Sequence, residues 1–303
     1  MVPIAPISRV LMTTTTRRGS FPVVSTVRRI HTAAAAKEWA TEDKRRLLHA
    51  SYRVNDLASA ISGYEKHFGM TLLRKTSEGN ATTAFLGFGP ESTNFTVAVV
   101  ADARPVDLGT AFGHFGLFTD DVYAMCDRIK ADGGKVTREA GPVKGGTTVI
   151  AFAEDSTQYK WELIQRTGVR EPLCQVMLRV ADLDKSMAFY SQVLGMQKLR
   201  QRDNQEYKYT LGFMGYGPED QNTVIELTYN YGKDTSDCYS KGDGYLAVAV
   251  ATDDVNKTAD AIRAAGYLVT HPPGPLEVVP GMRVKATACE DPDGYKIIFV
   301  ENS

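Results

Sequence analysis

The chain has 303 residues, enough for two domains of ordinary size, and its 43% apolar and 23% charged residues are those of a globular protein with a sizeable core. Its 35 Lys and Arg stand against 36 Asp and Glu, a net charge of -1, which excludes nucleic-acid binding driven by bulk charge. No run approaches the roughly eighteen apolar residues of a membrane span.

The charge is unevenly placed. Residues 1–37 hold five Arg and one Lys without any acid, leaving 29 basic against 36 acidic residues, or -7, for the remainder. An acid-free leader rich in Arg, Ser, Thr and Ala has the composition of an organellar transit peptide, so residues 1–36 are expected to be a disordered address outside the fold. A plain basic tail is the alternative. Arg28-Arg29-Ile30-His31-Thr32 looks like the end of a mitochondrial presequence, which favours the mitochondrion and leaves the plastid open.

Beyond the leader the chain repeats itself. Tyr64, Gly69-Met70 and Leu73-Arg74 recur as Tyr190, Gly195-Met196 and Leu199-Arg200. Phe88-Gly89-Pro90-Glu91 recurs as Tyr216-Gly217-Pro218-Glu219, Thr119-Asp120-Asp121-Val122 as Thr252-Asp253-Asp254-Val255, and Gly141-Pro142 as Gly274-Pro275. Within each half the design appears twice. An apolar strand is expected over 48–54, 113–118, 175–180 and 245–251. An Asp-rich cap and an amphipathic helix follow, as where Met187, Phe189, Tyr190, Val193 and Leu194 succeed Asp182; Gly133 or Gly195 then stops the helix. Alternating runs over 207–212 and 223–229 read as strands joined by Gly-Pro turns. The expectation is an α+β chain of four βαβββ modules, with domains at 45–167 and 172–303. The cysteines, Cys126, Cys174, Cys238 and Cys289, form no CxxC and read as buried free thiols of a reducing compartment.

GHFG at 113–116, GPVKGG at 141–146, LCQVMLRV at 173–180, YGPED at 216–220 and VIELTYNYG at 224–232 resemble the two-domain glyoxalase I (lactoylglutathione lyase) family of plants and algae, over nearly everything after residue 44. The resemblance implies the glyoxalase/bleomycin-resistance/dioxygenase fold, the vicinal oxygen chelate architecture, with paired modules curled around a metal cleft. It offers eight ligand positions: His49, Ala98, His114 and Glu162 in the first half, Gln175, Glu226, Ala247 and Ile298 in the second. If module 2 pairs with module 3 and module 1 with module 4, one cleft holds His114, Glu162, Gln175 and Glu226 complete. Its twin then keeps only His49. Three oxygens and one imidazole nitrogen leave two positions open on an octahedral cation, and the lack of thiolate argues against a structural zinc site. Relatives with short loops like these use nickel, so one nickel is favoured over zinc. Glu162 and Glu226, each alone among apolar strand residues, carry the most weight, because a buried unpaired carboxylate is costly unless aimed at a cation.

The implied reaction is isomerisation of the hemithioacetal of methylglyoxal and glutathione to S-lactoylglutathione through a cation-stabilised enediolate, with Glu162 as the proton shuttle and Glu226 facing it. Arg179 and Asn230, each four residues beyond a ligand on its strand, share the ligand's face, and the resemblance makes both glutathione-binding candidates. Lys144, in the Gly-rich segment, is a candidate for the glycyl carboxylate or else a solvated lysine. Arg53 is the twin-cleft counterpart of Arg179. The chain departs from the family's DPDGY turn at 154–159, just before Glu162. Pairing within each half would instead join His49, His114 and Glu162 as an iron dioxygenase triad, and a non-catalytic binding protein of the same fold is the other alternative. Because one chain carries all modules, a monomer with a small-molecule substrate is expected, without nucleic-acid or membrane partners.

Overall fold

In the computed structural model, which describes residues 30, 32–102, 104–144 and 146–302, the first element is the helix α1 (Ala33–Glu42). Most of the expected leader, residues 1–29 and 31, lies outside the described residues. Residues 33–36, assigned to a disordered leader, are instead the first turn of α1. Four consecutive alanines have the highest helix propensity, Thr32 caps them by accepting from the Ala35 amide at 3.2 Å, and Ala36 and Ala40 are buried. Trp39 Nε1 donates to Thr258 Oγ1 at 3.1 Å, which ties this helix to the last module. Behind it, the buried Asp43 carboxylate accepts from Arg45 Nε, Thr252 Oγ1 and the Asp253 amide at 2.6–2.8 Å.

Module 1 comprises β1 (Leu47–Arg53), α2 (Leu57–Gly63), β2 (Thr71–Glu78), β3 (Ala81–Gly87) and β4 (Thr96–Ala101). Module 2 runs through β5 (Phe112–Thr119), α3 (Val122–Ala131), β6 (Lys135–Pro142), β7 (Val149–Glu154) and β8 (Lys160–Gln165). Module 3 has β9 (Leu173–Val180), α4 (Leu183–Gln192), β10 (Gln197–Asn204), β11 (Tyr209–Gly215) and β12 (Val224–Asn230). Module 4 has β13 (Tyr245–Thr252), α5 (Val255–Ala264), β14 (Val269–Val279), β15 (Met282–Glu290) and β16 (Lys296–Glu301). The helices begin alike: Asp56, Asp121, Asp182 and Asp254 each occupy the N-cap and accept from a backbone amide of the first turn. The strand expected from Tyr207 starts at Tyr209, because Asn204 Oδ1 accepts from the Tyr207 amide and Lys208 takes a left-handed φ of 58°, which makes 205–208 a turn.

The strand order decides which modules belong together. One eight-stranded sheet runs β14-β15-β16-β13-β1-β4-β3-β2 and the other β10-β11-β12-β9-β5-β8-β7-β6. Module 1 is thus sewn to module 4, and module 2 to module 3, through the antiparallel seams β1–β13 and β5–β9. This is the crossed arrangement that completes one ligand set. The within-half triad of His49, His114 and Glu162 is not assembled, since His49 lies in the other sheet.

One apolar cluster draws on all four modules, with Tyr52, Phe112, Phe115, Tyr159 and Trp161 at its centre. Two linkers cross between the sheets and are bonded to each other: the Asp243 and Gly244 amides donate to Asp107 O, and those of Thr110 and Ala111 to Ser240 O. The buried Arg53 guanidinium closes this crossing. It donates to Asp102 Oδ1 at 2.7 Å and Arg104 O at 2.8 Å, and pairs with Asp243. Cys126, Cys174 and Cys289 are buried free thiols as expected, whereas Cys238 is half-buried because it sits in the second linker.

Candidate active site

The β5–β9 seam brings the expected residues to one face. His114 stands opposite Met177, Gly116 opposite Gln175, and Glu162 beside Gly116, while Glu226 pairs with Met177 from β12. Because strand side chains alternate, His114, Glu162, Gln175 and Glu226 all emerge into one cleft of about 1180 Å³ lined by all eight strands of the sheet. The glycines of the GHFG motif make room. A Cβ at Gly116 would lie 2.5 Å from Gln175 Oε1 and 2.7 Å from its Cβ.

The donors are close and little exposed: His114 is 7%, Gln175 5% and Glu226 4% accessible. His114 Nε2 lies 3.3 Å from Glu162 Oε2 and 3.8 Å from Glu226 Oε2. One donor atom each from His114, Glu162 and Glu226 falls within a 4.8 Å span. His114 Nε2 and Gln175 Oε1 are buried without a hydrogen-bond partner. Orphaned buried polar atoms are costly, and a nitrogen and an oxygen left bare beside two carboxylates fit a cation between them. Burial alone would lower the His114 pKa, but the Glu162 and Glu226 carboxylates outweigh it and raise it. Burial raises Glu226, and the neighbouring Glu162 charge adds to the rise while His114 and Arg200 oppose it. Without metal, the His114 imidazole and the Glu226 carboxyl therefore both hold onto protons more firmly than in water.

The rest of the wall is basic and aromatic. Arg179 lines the cleft with its Nη1 anchored on Thr110 O and Phe112 O at 2.7 and 2.9 Å. Asn230 donates Nδ2 to Tyr239 OH at 2.9 Å. Lys144 lies at the mouth, paired with Glu206. Arg138, Arg166, Arg200 and Arg202 also line the cleft; none was expected as a site residue. Arg200 could have been found, since Leu199-Arg200 belongs to the internal repeat. Its guanidinium lies 3.3 Å over the Phe213 ring and is held by Glu219 at 2.6 and 3.1 Å.

The departure at 154–159 leaves Glu162 in place. Asp155 Oδ1 accepts from the Thr157 and Tyr159 amides at 2.9 and 3.0 Å, as Asp291 Oδ1 does from Asp293 and Tyr295 in the intact DPDGY turn. Gln158 adopts φ 76° where the other turn has Gly294 at 81°. A non-glycine residue there costs about 1 kcal/mol, which the buried Asp155 network absorbs.

The twin site is not a cleft. His49, Ala98, Ala247 and Ile298 occupy equivalent register positions in the other sheet, but Ala98, Ala247 and Ile298 belong to a separate apolar cluster with Phe85, Val278 and Val279. Counted from the shared Gly-Pro and Glu-Asp landmarks, the β14–β15 hairpin is three residues longer than β6–β7, and its Val278 and Val279 are buried in that cluster. Its tip is fastened to β2 and β3, with Thr76 Oγ1 donating to Pro280 O at 2.7 Å and Gly281 packed on the Ser77 backbone. Burial, then Arg74 and Arg46, push the enclosed His49 down to about 4, so it stays neutral.

The Glyoxalase/Bleomycin resistance protein/Dioxygenase superfamily matches at residues 46–163 and again at 173–299. The chain is 53% identical over 268 residues, 87% of its length and 75% of the relative's, to a protein of Arabidopsis thaliana named "Probable lactoylglutathione lyase, chloroplastic". It is 50% identical over 275 residues, 88% of its length and 92% of the relative's, to the "Lactoylglutathione lyase" of Oryza sativa subsp. japonica. The crystal structure of glyoxalase I from Zea mays superposes with a TM-score of 0.82 at 50% identity, covering 87% of this chain and 95% of that one. On sequence, sheet topology and site geometry together, the chain belongs to the Glyoxalase/Bleomycin resistance protein/Dioxygenase superfamily.

Proposed function

We propose that this cleft isomerises the hemithioacetal of methylglyoxal and glutathione to S-lactoylglutathione, with His114, Glu162, Gln175 and Glu226 holding one divalent cation. The observation that carries this is the convergence of polar groups from both halves, two of them buried and orphaned. They lie in a chain about half identical to plant lactoylglutathione lyases. When bound, the cation acts as a Lewis acid toward the vicinal oxygens of the substrate.

The side chains supply the remainder. Glu162, the most accessible of the three ionisable donors, takes the proton from the carbon bearing the thioether and returns it to the neighbouring carbon. No atom is gained or lost. Glu226 faces the opposite side of the substrate, where a second carboxylate can serve as proton acceptor. Phe118, Ile164, Leu211 and Phe213 give the cleft apolar wall that keeps water from the carbanionic carbon. Arg179, aimed by its backbone anchors, and Asn230 hold the glutathione moiety, while Lys144 meets a carboxylate at the mouth.

The donor set, one nitrogen and three oxygens without thiolate, suits a six-coordinate divalent ion and accommodates nickel or zinc; the short loops favour nickel. The repeat units are taken as 45–167 and 172–303, although the catalytic sheet is built across them. One chain completes the site, so the protein is assigned as a monomer, to be checked by its elution volume. No helix among the described residues is long and apolar enough to cross a membrane. The acid-free leader supports organellar import; the chloroplastic Arabidopsis relative weighs toward the plastid, against the mitochondrion suggested by 28–32.

The test is an apo-protein refilled with single divalent metals and assayed on methylglyoxal plus glutathione. Glu226→Gln should abolish turnover and reduce bound metal below one per chain. Full activity of that variant refutes the assignment.

A further inference from the structure

Across the mouth of the cleft, two turns from different modules meet. One joins β6 to β7 and carries Lys144; it is closed by the Val143 amide donating to Thr148 O at 2.8 Å. Arg138 buttresses it, spending its guanidinium on Ile150 O at 2.5 Å and Pro142 O at 3.2 Å. The other joins β10 to β11 and presents Glu206. Its shape is set by the Asn204 side chain on the Tyr207 amide, by the left-handed Lys208, and by Gln205 Nε2 donating to Tyr231 OH at 3.0 Å. Glu206 and Lys144 pair, and the Lys144 ammonium also lies 5.5 Å from the Tyr207 ring.

The other cations of the cleft are differently committed. Arg138 and Arg179 are bound to backbone carbonyls, and Arg200 is held in a two-point contact by Glu219 on an aromatic face. Arg166 only approaches Asp220, at 3.9 Å, whereas Lys144 is hydrogen-bonded to a single carboxylate on a turn, with both side chains about 60% accessible. An exposed monodentate pair is screened by water and salt and contributes little net stability, so it exchanges readily. Its partner has the chemistry of what must enter here, since glutathione carries two carboxylates.

We infer that Glu206 is a displaceable internal counter-ion that occupies Lys144 until a substrate carboxylate replaces it, so that it sets the threshold for entry and eases the product's exit. This rests on the reading of the cleft as a glutathione-adduct isomerase. Glu206 is a positioning residue: it acts through Lys144 and touches no reacting atom. Because an incoming carboxylate competes with it, removing its charge strengthens binding. Removing Lys144 makes Glu206 irrelevant.

The test uses the metal-loaded full chain as wild type, Glu206→Gln, Lys144→Gln and the double variant. It measures KM and kcat on the hemithioacetal and the affinity for S-methylglutathione and for its diethyl ester. The Glu206→Gln variant should lower KM and tighten S-methylglutathione by about two- to fivefold, the range of an exposed pair, with the change falling on KM rather than kcat. Lys144→Gln should weaken both, and the double variant should match Lys144→Gln alone. The diethyl ester should bind the wild type and Glu206→Gln equally. If S-methylglutathione binds Glu206→Gln no more tightly than the wild type, or the double variant differs from Lys144→Gln, the counter-ion role is overturned. If the wild type itself neither binds S-methylglutathione nor turns over, the functional reading falls instead.

Discussion

Placing a methyl group at Gly116 asks how closely the seam of the catalytic sheet is fitted to its ligands. The Cβ of a Gly116→Ala variant would stand 2.5 Å from Gln175 Oε1, 2.7 Å from Gln175 Cβ and 3.0 Å from Cys174 Sγ. The oxygen lies at the flexible end of its side chain, but the Gln175 Cβ is fixed to a strand paired with β5. The amide must swing away and the two central strands must part by several tenths of an ångström. Overpacking of this kind costs about 1–3 kcal/mol, which for a chain of this size lowers the melting temperature by roughly 2–6 °C. Loss of the amide from the donor set should separately weaken metal affinity by about 10–100-fold, as for other disturbed ligand shells. Calorimetric melting of the apo-protein reads the first effect, and titration with nickel reads the second. If the variant melts lower but binds nickel as tightly as the wild type, Gln175 is not a ligand. If neither quantity changes, the close packing argued for the seam is wrong.

Two further outcomes follow from groups outside the cleft. Burial pushes the Asp291 carboxyl up to about 7. Its proton is therefore held in the folded state and lost in the unfolded state above pH ~4, so folding stability should fall as pH rises from about 4 through about 7 and level off above. Asp291→Asn, which keeps an acceptor for the Asp293 and Tyr295 amides, should flatten that slope, as measured by urea unfolding at pH 5 and pH 8. An unchanged slope would exclude Asp291 as its source. Arg53→Met should cost about 3 kcal/mol by leaving Asp102 and the linker carbonyls without their donor, with little effect on turnover. A stability loss below about 0.5 kcal/mol would show that the linkers need no clamp.

Much of the architecture was legible because repeated sequence forces repeated structure. An Asp before each helix and a glycine after it mark the boundaries by capping chemistry, and these signals survive in all four modules. The crossed pairing followed from counting donors, since only that pairing leaves no buried acid stranded. Other features depend on contacts between distant segments. Ala33–Ala36 look like leader by composition, and although alanine favours helix, the buried face against α5 is what ties them to the fold. Arg53 reads as the equivalent of Arg179, yet Asp102 and Asp243, distant in sequence, turn it into a clamp. The filled twin site was hidden for a similar reason. Missing ligands announce the loss of a metal, but not what takes its place.

That filling has a lasting consequence. With Val278 and Val279 seated among Ala98, Ala247 and Ile298, restoring the three absent ligands by substitution would set two acids against buried aliphatic walls. Each such change is harmful alone, and all three together remain harmful until the hairpin also shortens. The vanished centre is thereby locked out by a ratchet, and the duplicated polypeptide is committed to one workshop braced by a solid buttress.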